Sequence, residues 1–127
     1  MRYLGIDYGD KRVGIAVSDP QGKIAFPKVT LFNNSRLVEN FKNLIGEEKI
    51  SNVVVGLPLA ADGSETEQGK KTRIFVENLK KVINISIYFE NEMLTTRLVE
   101  GAGVKKERAD ESSAALILQS YLDKKSG

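Results

Sequence analysis

The segment YLGIDYGDKRVGIAVS, residues 3–18, decides the fold because it contains two apolar runs separated by a turn. Tyr3–Tyr8 and Val13–Val17 are rich in residues that favour β-strands. The glycine and aspartate of Gly9-Asp10-Lys11-Arg12 suit a tight reversal of the chain between them. The segment therefore predicts a β-hairpin at the start of the chain.

A third strand and a first helix are predicted after the hairpin. The proline and glycine of residues 19–22 mark another turn, and Ile24–Phe32 again favours a strand. We therefore expect three consecutive antiparallel strands. The apolar period then becomes that of an amphipathic helix, with Ser35 as its N-cap and Gly46 near its end. The apolar positions of this helix are Leu37, Phe41, Leu44 and Ile45.

The unbroken run Val53-Val54-Val55 is typical of a strand that is covered on both faces and pairs in parallel. Pro58 ends this strand. Ser64 and Glu67 have the spacing of a capping box, which predicts the start of a second helix. The buried stripe predicted for that helix consists of Phe75, Leu79 and Val82.

The rest of the chain predicts one more strand and two helices. Residues 85–90 alternate in polarity as a fifth strand does, and helices are expected over Leu94–Ala102 and from about Asp110 to Leu122. The order β-β-β-α-β-α-β-α-α predicts an α/β fold. Its mixed five-stranded sheet would combine three antiparallel strands with two parallel ones, flanked by helices. We expect residues 1–127 to form one domain.

The composition excludes several kinds of catalytic site. Of the 127 residues, 41% are hydrophobic and 28% are charged, as in ordinary globular proteins. The chain has no histidine and no cysteine, so it cannot form a Ser-His-Asp triad, a thiol nucleophile, a Cys/His zinc site or a disulfide. Any chemistry must use carboxylates, amines, guanidinium groups or hydroxyls.

The net charge and the hydropathy of the chain bear on its partners and on its location in the cell. The chain has 19 Lys and Arg against 17 Asp and Glu, a net charge of +2, so any basic surface must be local. No apolar stretch approaches the roughly 18 residues of a membrane span, and the chain opens with a strand rather than an apolar leader. We therefore expect a soluble, cytoplasmic protein that is not attached to a membrane.

Three carboxylates stand at places where a site could form. Asp7 interrupts an apolar strand on the face that it shares with Gly5, and Glu92 follows the fifth strand. Asp110 stands at the start of the last helix; at least one of Asp110 and Glu111 points at the core edge, and the helical period does not choose between them. Each acid alone has a simpler interpretation: a turn aspartate, a solvated loop acid and an acid at the positive end of a helix.

Convergence of these three acids would create a metal site. Carboxylate oxygens suit Mg²⁺ or Mn²⁺ far better than Zn²⁺. Two such cations would activate water near neutral pH and stabilise both the attacking and the leaving oxygen of a phosphodiester. The acids thus predict a two-metal site that needs no histidine.

Local basic groups and one loop could hold a polyanion. Gly56-Leu57-Pro58-Leu59 and Asp62-Gly63-Ser64 precede a helix, and Ser64 with free amides at that helix end could bind a phosphate. A well-capped turn is the more common role of such a loop. Three local groups of basic residues are also expected to contact phosphates. The first lies in the hairpin turn, the second in the helix after Ser64 and the third before Asp110: Lys11 and Arg12; Lys70, Lys71 and Arg73; Lys105, Lys106 and Arg108.

Four motifs in order along nearly the whole chain resemble those of the YqgF/RuvX-like family, the Holliday junction resolvase relatives. They are LGIDYGDKRVGIAVSD at 4–19, VVGLPL at 54–59 with DGSE at 62–65, EMLTT at 92–96, and Asp110 with AALILQ at 114–119. Several motifs together are specific where each alone would not be.

This resemblance implies a fold and a function. The fold would be RNase H-like, and the role would be trimming the leader of the small-subunit (pre-16S) ribosomal RNA, with Holliday junction cleavage by a dimer as an older proposal. By motif position, Asp7, Glu92 and Asp110 match the acidic residues of the family. The resemblance therefore favours Asp110 over Glu111 and nucleic acid as the partner of a monomer or homodimer.

The chain departs from the motifs of the family at two places, and two other functions are alternatives to the nuclease. Where the family usually has an acid before and a cation after the glutamate of the third motif, this chain has Asn91 and Met93 on either side of Glu92. The basic segment before Asp110 is also shorter than in the family. These departures favour a second hypothesis, a catalytically weak RNA-binding or transcription module. Residues 5–7, Gly-Ile-Asp, also resemble the phosphate motif of the actin and sugar-kinase ATPases. Those enzymes close two domains over the nucleotide, whereas 127 residues supply one.

Overall fold

A five-stranded sheet with the order β3-β2-β1-β4-β5 forms the centre of the protein. The computed structural model describes residues 1–91 and 106–126, and of residues 106–109 it describes the backbone alone. The strands are β1 Tyr3–Tyr8, β2 Arg12–Ser18, β3 Ala25–Phe32, β4 Asn52–Leu57 and β5 Ser86–Asn91. The helices described are α1 Leu37–Glu47, α2 Glu67–Lys80 and α3 Lys106–Ser126.

The sheet is mixed, as the sequence predicts. β1, β2 and β3 pair antiparallel, whereas β4 pairs in parallel with both β1 and β5. The β2–β3 ladder shifts register between Ile15 and Ala16, opposite Pro27. A proline has no amide hydrogen to donate, so it is tolerated in this edge strand at an irregularity.

The two faces of the sheet carry separate apolar cores. Leu4 and Ile6 of β1 pack on one face in a core that α1 and α2 cover. On the other face, Tyr3 packs with residues of α3. Val53 and Val55 belong to the first core and Val54 to the second, and all three are fully buried. Burial on both faces explains the unbroken apolar run Val53-Val54-Val55 in β4.

Helix α1 ends one residue after Gly46, as predicted, but it begins differently from the prediction. Ser35 is not its N-cap: Arg36 occupies that position without a side-chain cap, and its N–H donates to Asn34 Oδ1 at 2.9 Å. Asparagine forms such a local turn readily. Gly46 lies within the helix, and Lys49 makes the reversal with φ 53°.

Helix α2 is capped by Thr66, so the predicted capping box of Ser64 and Glu67 is wrong. The Thr66 hydroxyl accepts the N–H of Gly69 at 3.0 Å. Thr66 immediately precedes the first helical residue, which is the position from which a hydroxyl reaches the free amides of the first turn. Phe75 and Leu79 are buried as predicted, but Val82 lies beyond the helix and is exposed.

Helix α3 is longer than predicted. It begins at Lys106, about one turn before Asp110. The helix predicted over Leu94–Ala102 lies outside the described residues. Among the described parts of the chain, no helix is both long and apolar enough to cross a membrane.

Two glycines allow α3 to lie unusually close to the sheet. A Cβ at Gly14 would stand 1.9 Å from the carbonyl oxygen of Asp110, and a Cβ at Gly5 would stand 2.8 Å from the Cβ of Leu118. Both distances are shorter than van der Waals contact. The backbone of α3 therefore occupies the space that side chains would need at these two positions of β1 and β2.

A buried carboxylate ties α3 to the edge strand β5. Glu90 is 5% exposed, and its Oε2 accepts hydrogen bonds from the Ser120 hydroxyl and the Lys124 ammonium, both at 2.7 Å. A buried charge is costly unless it is paired and hydrogen-bonded. One oxygen therefore receives two donors from successive turns of α3.

We expect Gly14→Ala to destabilise the protein. Its methyl group would overlap the backbone of α3, which cannot yield as a side chain can, so the free energy of unfolding should fall by about 1–3 kcal/mol. Gly46→Ala is the matched control, because a Cβ there meets no atom within 4 Å and should stabilise α1 by about 0.5–1 kcal/mol. Urea denaturation measures both; equal stabilities would contradict the close approach of α3.

We expect Ser120→Ala to lower the free energy of unfolding by about 1–2 kcal/mol, because it removes a donor from the buried Glu90 carboxylate. Ser126→Ala is the control, since that hydroxyl donates to the carbonyl of Leu122 in its own helix and, within the described parts of the chain, to no buried charge. Thermal denaturation of both variants beside the parent protein tests the difference. If the free energy of unfolding falls no more than in the control, the hydrogen bond from Ser120 to Glu90 contributes nothing to stability.

Candidate active site

The candidate site lies at the edge of the sheet where the parallel strands end. Because β1, β4 and β5 run in parallel, their last residues, Tyr8, Leu57 and Asn91, lie along the same edge. The hairpin turn at residues 9–11 and the loop of residues 58–66 also start there. Sheets of this kind bind ligands outside the carboxyl ends of parallel strands.

Asp7 lies on the face of the sheet that α3 covers. Alternation along β1 places it on the same side as Tyr3, which packs with α3, and Gly5, which contacts Leu118. The side chain of Asp7 is half-buried. The strand position and the shared face predicted from the sequence are therefore confirmed.

Asp110 is brought to the same place by the packing of α3. Its backbone lies against Gly14, and Gly14 is the antiparallel partner of Asp7. Paired residues of this kind have Cα atoms about 4.5–5.5 Å apart. The backbone of Asp110 thus packs against the strand residue that pairs with Asp7, although the two acids are distant in the sequence.

The Asp110 carboxylate has an incomplete set of polar partners. Its Oδ2 lies 3.1 Å from Arg12 Nε in an ion pair. The orientation does not make that contact a hydrogen bond, and this buried oxygen has no hydrogen-bond donor in the part of the chain that the structure describes. A buried carboxylate oxygen in this state can accept a cation.

The donor atoms at this edge fit a hard divalent cation. Asp7 and Asp110 offer carboxylate oxygens, which Mg²⁺ and Mn²⁺ prefer, and no thiolate or imidazole competes in this chain. Among residues 1–91 and 106–126, no group of three acids could hold a metal ion. The third predicted acid, Glu92, lies outside the described residues, as Lys105 does.

Glu90 is an acid near this edge that the sequence interpretation overlooked. It precedes Asn91 at the end of β5, but Ser120 and Lys124 already hold its carboxylate. This pairing favours Glu90 as a structural acid rather than a metal ligand. Alternation could have suggested it, because Glu90 lies on the same face of β5 as Tyr88, whose ring stacks on Tyr121 of α3.

Several predicted phosphate ligands already have acidic partners. Arg12 pairs with Asp110, and Lys71 Nζ lies 3.2 Å from Asp10 Oδ1. All of these pairs involve exposed cationic side chains, and such pairs are weak and exchange readily with other anions. The remaining pairs are Lys70 with Glu67, and Arg73 with Glu65, the Arg73 guanidinium also lying over the Phe89 ring. Of Lys106 and Arg108, only the backbone in α3 is described.

The loop before α2 holds a carboxylate where the sequence suggested a phosphate. Asp62 Oδ1 accepts the Ser64 hydroxyl at 2.6 Å and the Ser64 N–H at 2.9 Å. The hydroxyl bond, followed by the backbone bond, lowers the pKa of Asp62. A phosphate at Ser64 would have to displace this ionised side chain.

Comparison with known sequences gives the family. The family model described as RuvX, Holliday junction resolvase, matches residues 1–124. A protein of Sulfurihydrogenibium sp. (strain YO3AOP1), named "Putative pre-16S rRNA nuclease", is 45% identical over 97% of this chain and 90% of its own length. A protein of the same name from Thermoanaerobacter pseudethanolicus is 40% identical over 97% of this chain and 96% of its own.

Comparison with solved structures gives the fold. Thermus thermophilus RuvC matches with a TM-score of 0.63 at 15% identity, covering 100% of this chain and 97% of that protein. The same protein in complex with a Holliday junction substrate matches with a TM-score of 0.61 at 12% identity, covering 100% and 96%. The sheet order and these matches give the RNase H-like fold that the motifs imply, and the match to the family model over residues 1–124 shows that the chain belongs to the RuvX family.

Proposed function

We propose that this chain, acting as one domain, is a metal-dependent nuclease that hydrolyses phosphodiester bonds in structured nucleic acid. The observation that carries the proposal is the contact across Gly14, which brings Asp110 of α3 to Asp7 of β1. This packing supports a site in which both acids would supply oxygen ligands at the edge where the parallel strands end. Family membership supports the reaction class, because the relatives that match are named as nucleases and resolvases.

The substrate that we propose is the precursor of 16S ribosomal RNA, cleaved at its 5′ side. The names of relatives that are 45% and 40% identical to this chain support that choice. Such a substrate implies that the protein works in the cytoplasm. Precursor RNA is structured and carries one charge per phosphate, so it would be held by backbone contacts rather than by reading of paired bases.

Asp7 and Asp110 would hold Mg²⁺ or Mn²⁺, with Glu92 as a third ligand on the basis of its motif. When bound, two such ions supply a nucleophile at neutral pH and neutralise charge that develops on the phosphate oxygens. Asp7, fixed in β1, orients the ligand set from the sheet. Asp110 completes it from α3, and the position of that helix sets the distance between the two carboxylates.

Arg12 would exchange partners when substrate arrives. Without substrate, its guanidinium compensates the charge of Asp110. A cation at the acids would take over that compensation, so Arg12 could then bind a phosphate oxygen of the substrate. Arginine suits this exchange because its planar donors match carboxylate and phosphate alike.

Holliday junction cleavage is a second candidate function. The family model is described as a Holliday junction resolvase, and the matching RuvC structure contains such a substrate. A junction has two strands to cut, so this function requires two active sites and hence a homodimer. Processing of precursor RNA needs one site and could be carried out by a monomer.

A comparison of two substrates tests the proposal. The full chain is incubated with end-labelled precursor RNA and, separately, with a labelled four-way DNA junction, each with and without Mn²⁺. We expect metal-dependent cleavage of the RNA. Symmetric cleavage of the junction alone would favour the resolvase, and salt-sensitive RNA binding without cleavage in any divalent metal would favour the binding module.

We expect Asp7→Asn to reduce metal-dependent cleavage by at least about 100-fold, because an amide is a poor ligand for a hard cation. The protein should remain folded, with a similar thermal midpoint. Asp123→Asn is the control, since the one partner of this exposed acid among the described residues is Gln119 of its own helix. Full activity in Asp7→Asn would refute the assignment of Asp7.

We expect Lys11→Gln to weaken nucleic-acid binding and flatten its salt dependence. Lys11 is exposed in the hairpin turn beside the candidate site. Each lost phosphate contact reduces the slope of log K against log salt by about 0.7 for a single strand. Lys81→Gln at the far end of α2 is the control and should leave the slope unchanged, as measured by fluorescence anisotropy. Equal slopes for both variants would place Lys11 outside the interface.

A further inference from the structure

A cleft of about 300 Å³ opens between the start of α1 and the middle of α2, on the face of the sheet opposite Asp7. Tyr8 lines it from the sheet, and Leu37 and Phe75 are among the residues that line it from the helices. Tyr8 directly follows Asp7, and the two side chains project to opposite faces of the sheet. We refer to this space as the α1–α2 cleft. No residue of it belongs to the metal site proposed above.

The floor of the α1–α2 cleft is apolar and well supported. The ring of Tyr8 stacks on that of Phe75, with centroids 4.4 Å apart and planes inclined by 21°. Phe75 in turn packs against Phe41 at 5.5 Å, and Leu37 is buried. The backbone of Tyr8 is held by Gln68, whose amide donates to its carbonyl at 3.1 Å. The floor is therefore preformed and offers a flat aromatic surface.

One wall of the α1–α2 cleft has a solvent-exposed apolar side chain. Ile74 lines the α1–α2 cleft and is 63% exposed, although it lies in the middle of α2. Exposed isoleucine is common at single positions. Here, however, it borders an apolar floor, so a flat apolar group in the cleft would cover both surfaces at once.

The rim of the cleft offers hydrogen bonds and a positive charge. Asn34 and Asn78 line the rim and are exposed, so their amide groups can donate and accept. Lys71 lies between the cleft and the hairpin turn, where it pairs with Asp10 across exposed side chains. An anion could therefore share this ammonium at little cost.

We propose that the α1–α2 cleft binds one unpaired nucleobase of the strand that is cleaved at Asp7 and Asp110, an inference that rests on the proposed nuclease function. A nucleobase has an apolar face for the floor and a polar edge for the asparagine amides. Its phosphate would reach Lys71. The strand would pass around the edge of the sheet at the turn that carries Lys11, which is exposed.

The size and the chemistry of the cleft favour this occupant. A volume of about 300 Å³ is at the lower end for small-ligand sites and is too small for the apolar face of a partner helix. Unpaired RNA bases are commonly recognised by stacking on aromatic rings together with hydrogen bonds to their edges. This site would make the enzyme select substrates that have an unpaired nucleotide next to the scissile phosphate.

Titration with single nucleotides tests the inference directly. Full-length Asp7→Asn protein without divalent metal is titrated with adenosine 5′-monophosphate and, separately, with ribose 5-phosphate, and amide NMR spectra are recorded. We expect adenosine 5′-monophosphate to shift the side-chain amides of Asn34 and Asn78 and the backbone of Ile74. Ribose 5-phosphate, which lacks the base, should shift Lys71 and leave the other three unchanged.

A pair of variants gives an independent measurement. Ile74→Ala removes part of the wall without adding charge, and binding of a single-stranded RNA oligonucleotide should weaken about fivefold or more. Val82→Ala is the control, because this exposed apolar residue lies beyond the end of α2 and outside the cleft. Thermal denaturation checks that both variants fold as the parent does.

The outcomes separate this inference from the proposed function. Identical shifts with both phosphates, no shift at Asn34 and Asn78, or equal RNA affinity of the Ile74 and Val82 variants would each overturn base recognition. Nuclease activity in the parent protein would stand in all three cases. If the parent protein cleaves no RNA but the shifts depend on the base, base binding in the α1–α2 cleft is supported and the proposed nuclease function is refuted.

Discussion

The packing of α3 onto side-chain-free positions of the sheet is the constraint on which the candidate site depends. Gly14 and Gly5 leave room for the helix backbone, and the register places Gly14 opposite Asp7. The same contact therefore closes the second core and brings Asp110 to Asp7. Stability and the proposed chemistry share one geometric requirement, and any side chain at Gly14 would disturb both.

Charge compensation then keeps this arrangement stable without a ligand. Arg12 pairs with Asp110 at the site, while Lys124 and Ser120 satisfy the buried Glu90 on the neighbouring strand. Glu90 and Asp110 differ in how many hydrogen bonds their carboxylate oxygens receive. Glu90 receives two hydrogen bonds, whereas a buried oxygen of Asp110 receives none from the described residues. This difference favours Asp110 as the acid that binds a cation, and the sheet separates that chemistry from the α1–α2 cleft.

The sequence predicted the sheet well because its signals are local. Alternation in β1 and β5 and the unbroken valines of β4 reflect which faces of each strand are buried, and burial depends on periods of a few residues. The helix ends were predicted less well. Thr66 caps α2, and Asn34 bonds the backbone just before α1, by hydrogen bonds that neighbouring polar residues could equally have made, so Ser64 and Ser35 were reasonable but wrong. The start of α3 was also placed about one turn too late.

For the site, the sequence by itself determined the chemical repertoire and the candidate acids: without histidine or cysteine, oxygen ligands were the remaining choice, and motif order favoured Asp7, Glu92 and Asp110. Only the tertiary structure decided that the backbone of Asp110 packs against Gly14, the strand partner of Asp7, that Glu90 is bonded by Lys124, and that Tyr8 and Ile74 line one cleft. The reason is physical. Composition and period are properties of neighbouring residues, whereas these contacts join residues far apart in the chain and depend on how closely α3 and α2 approach the sheet.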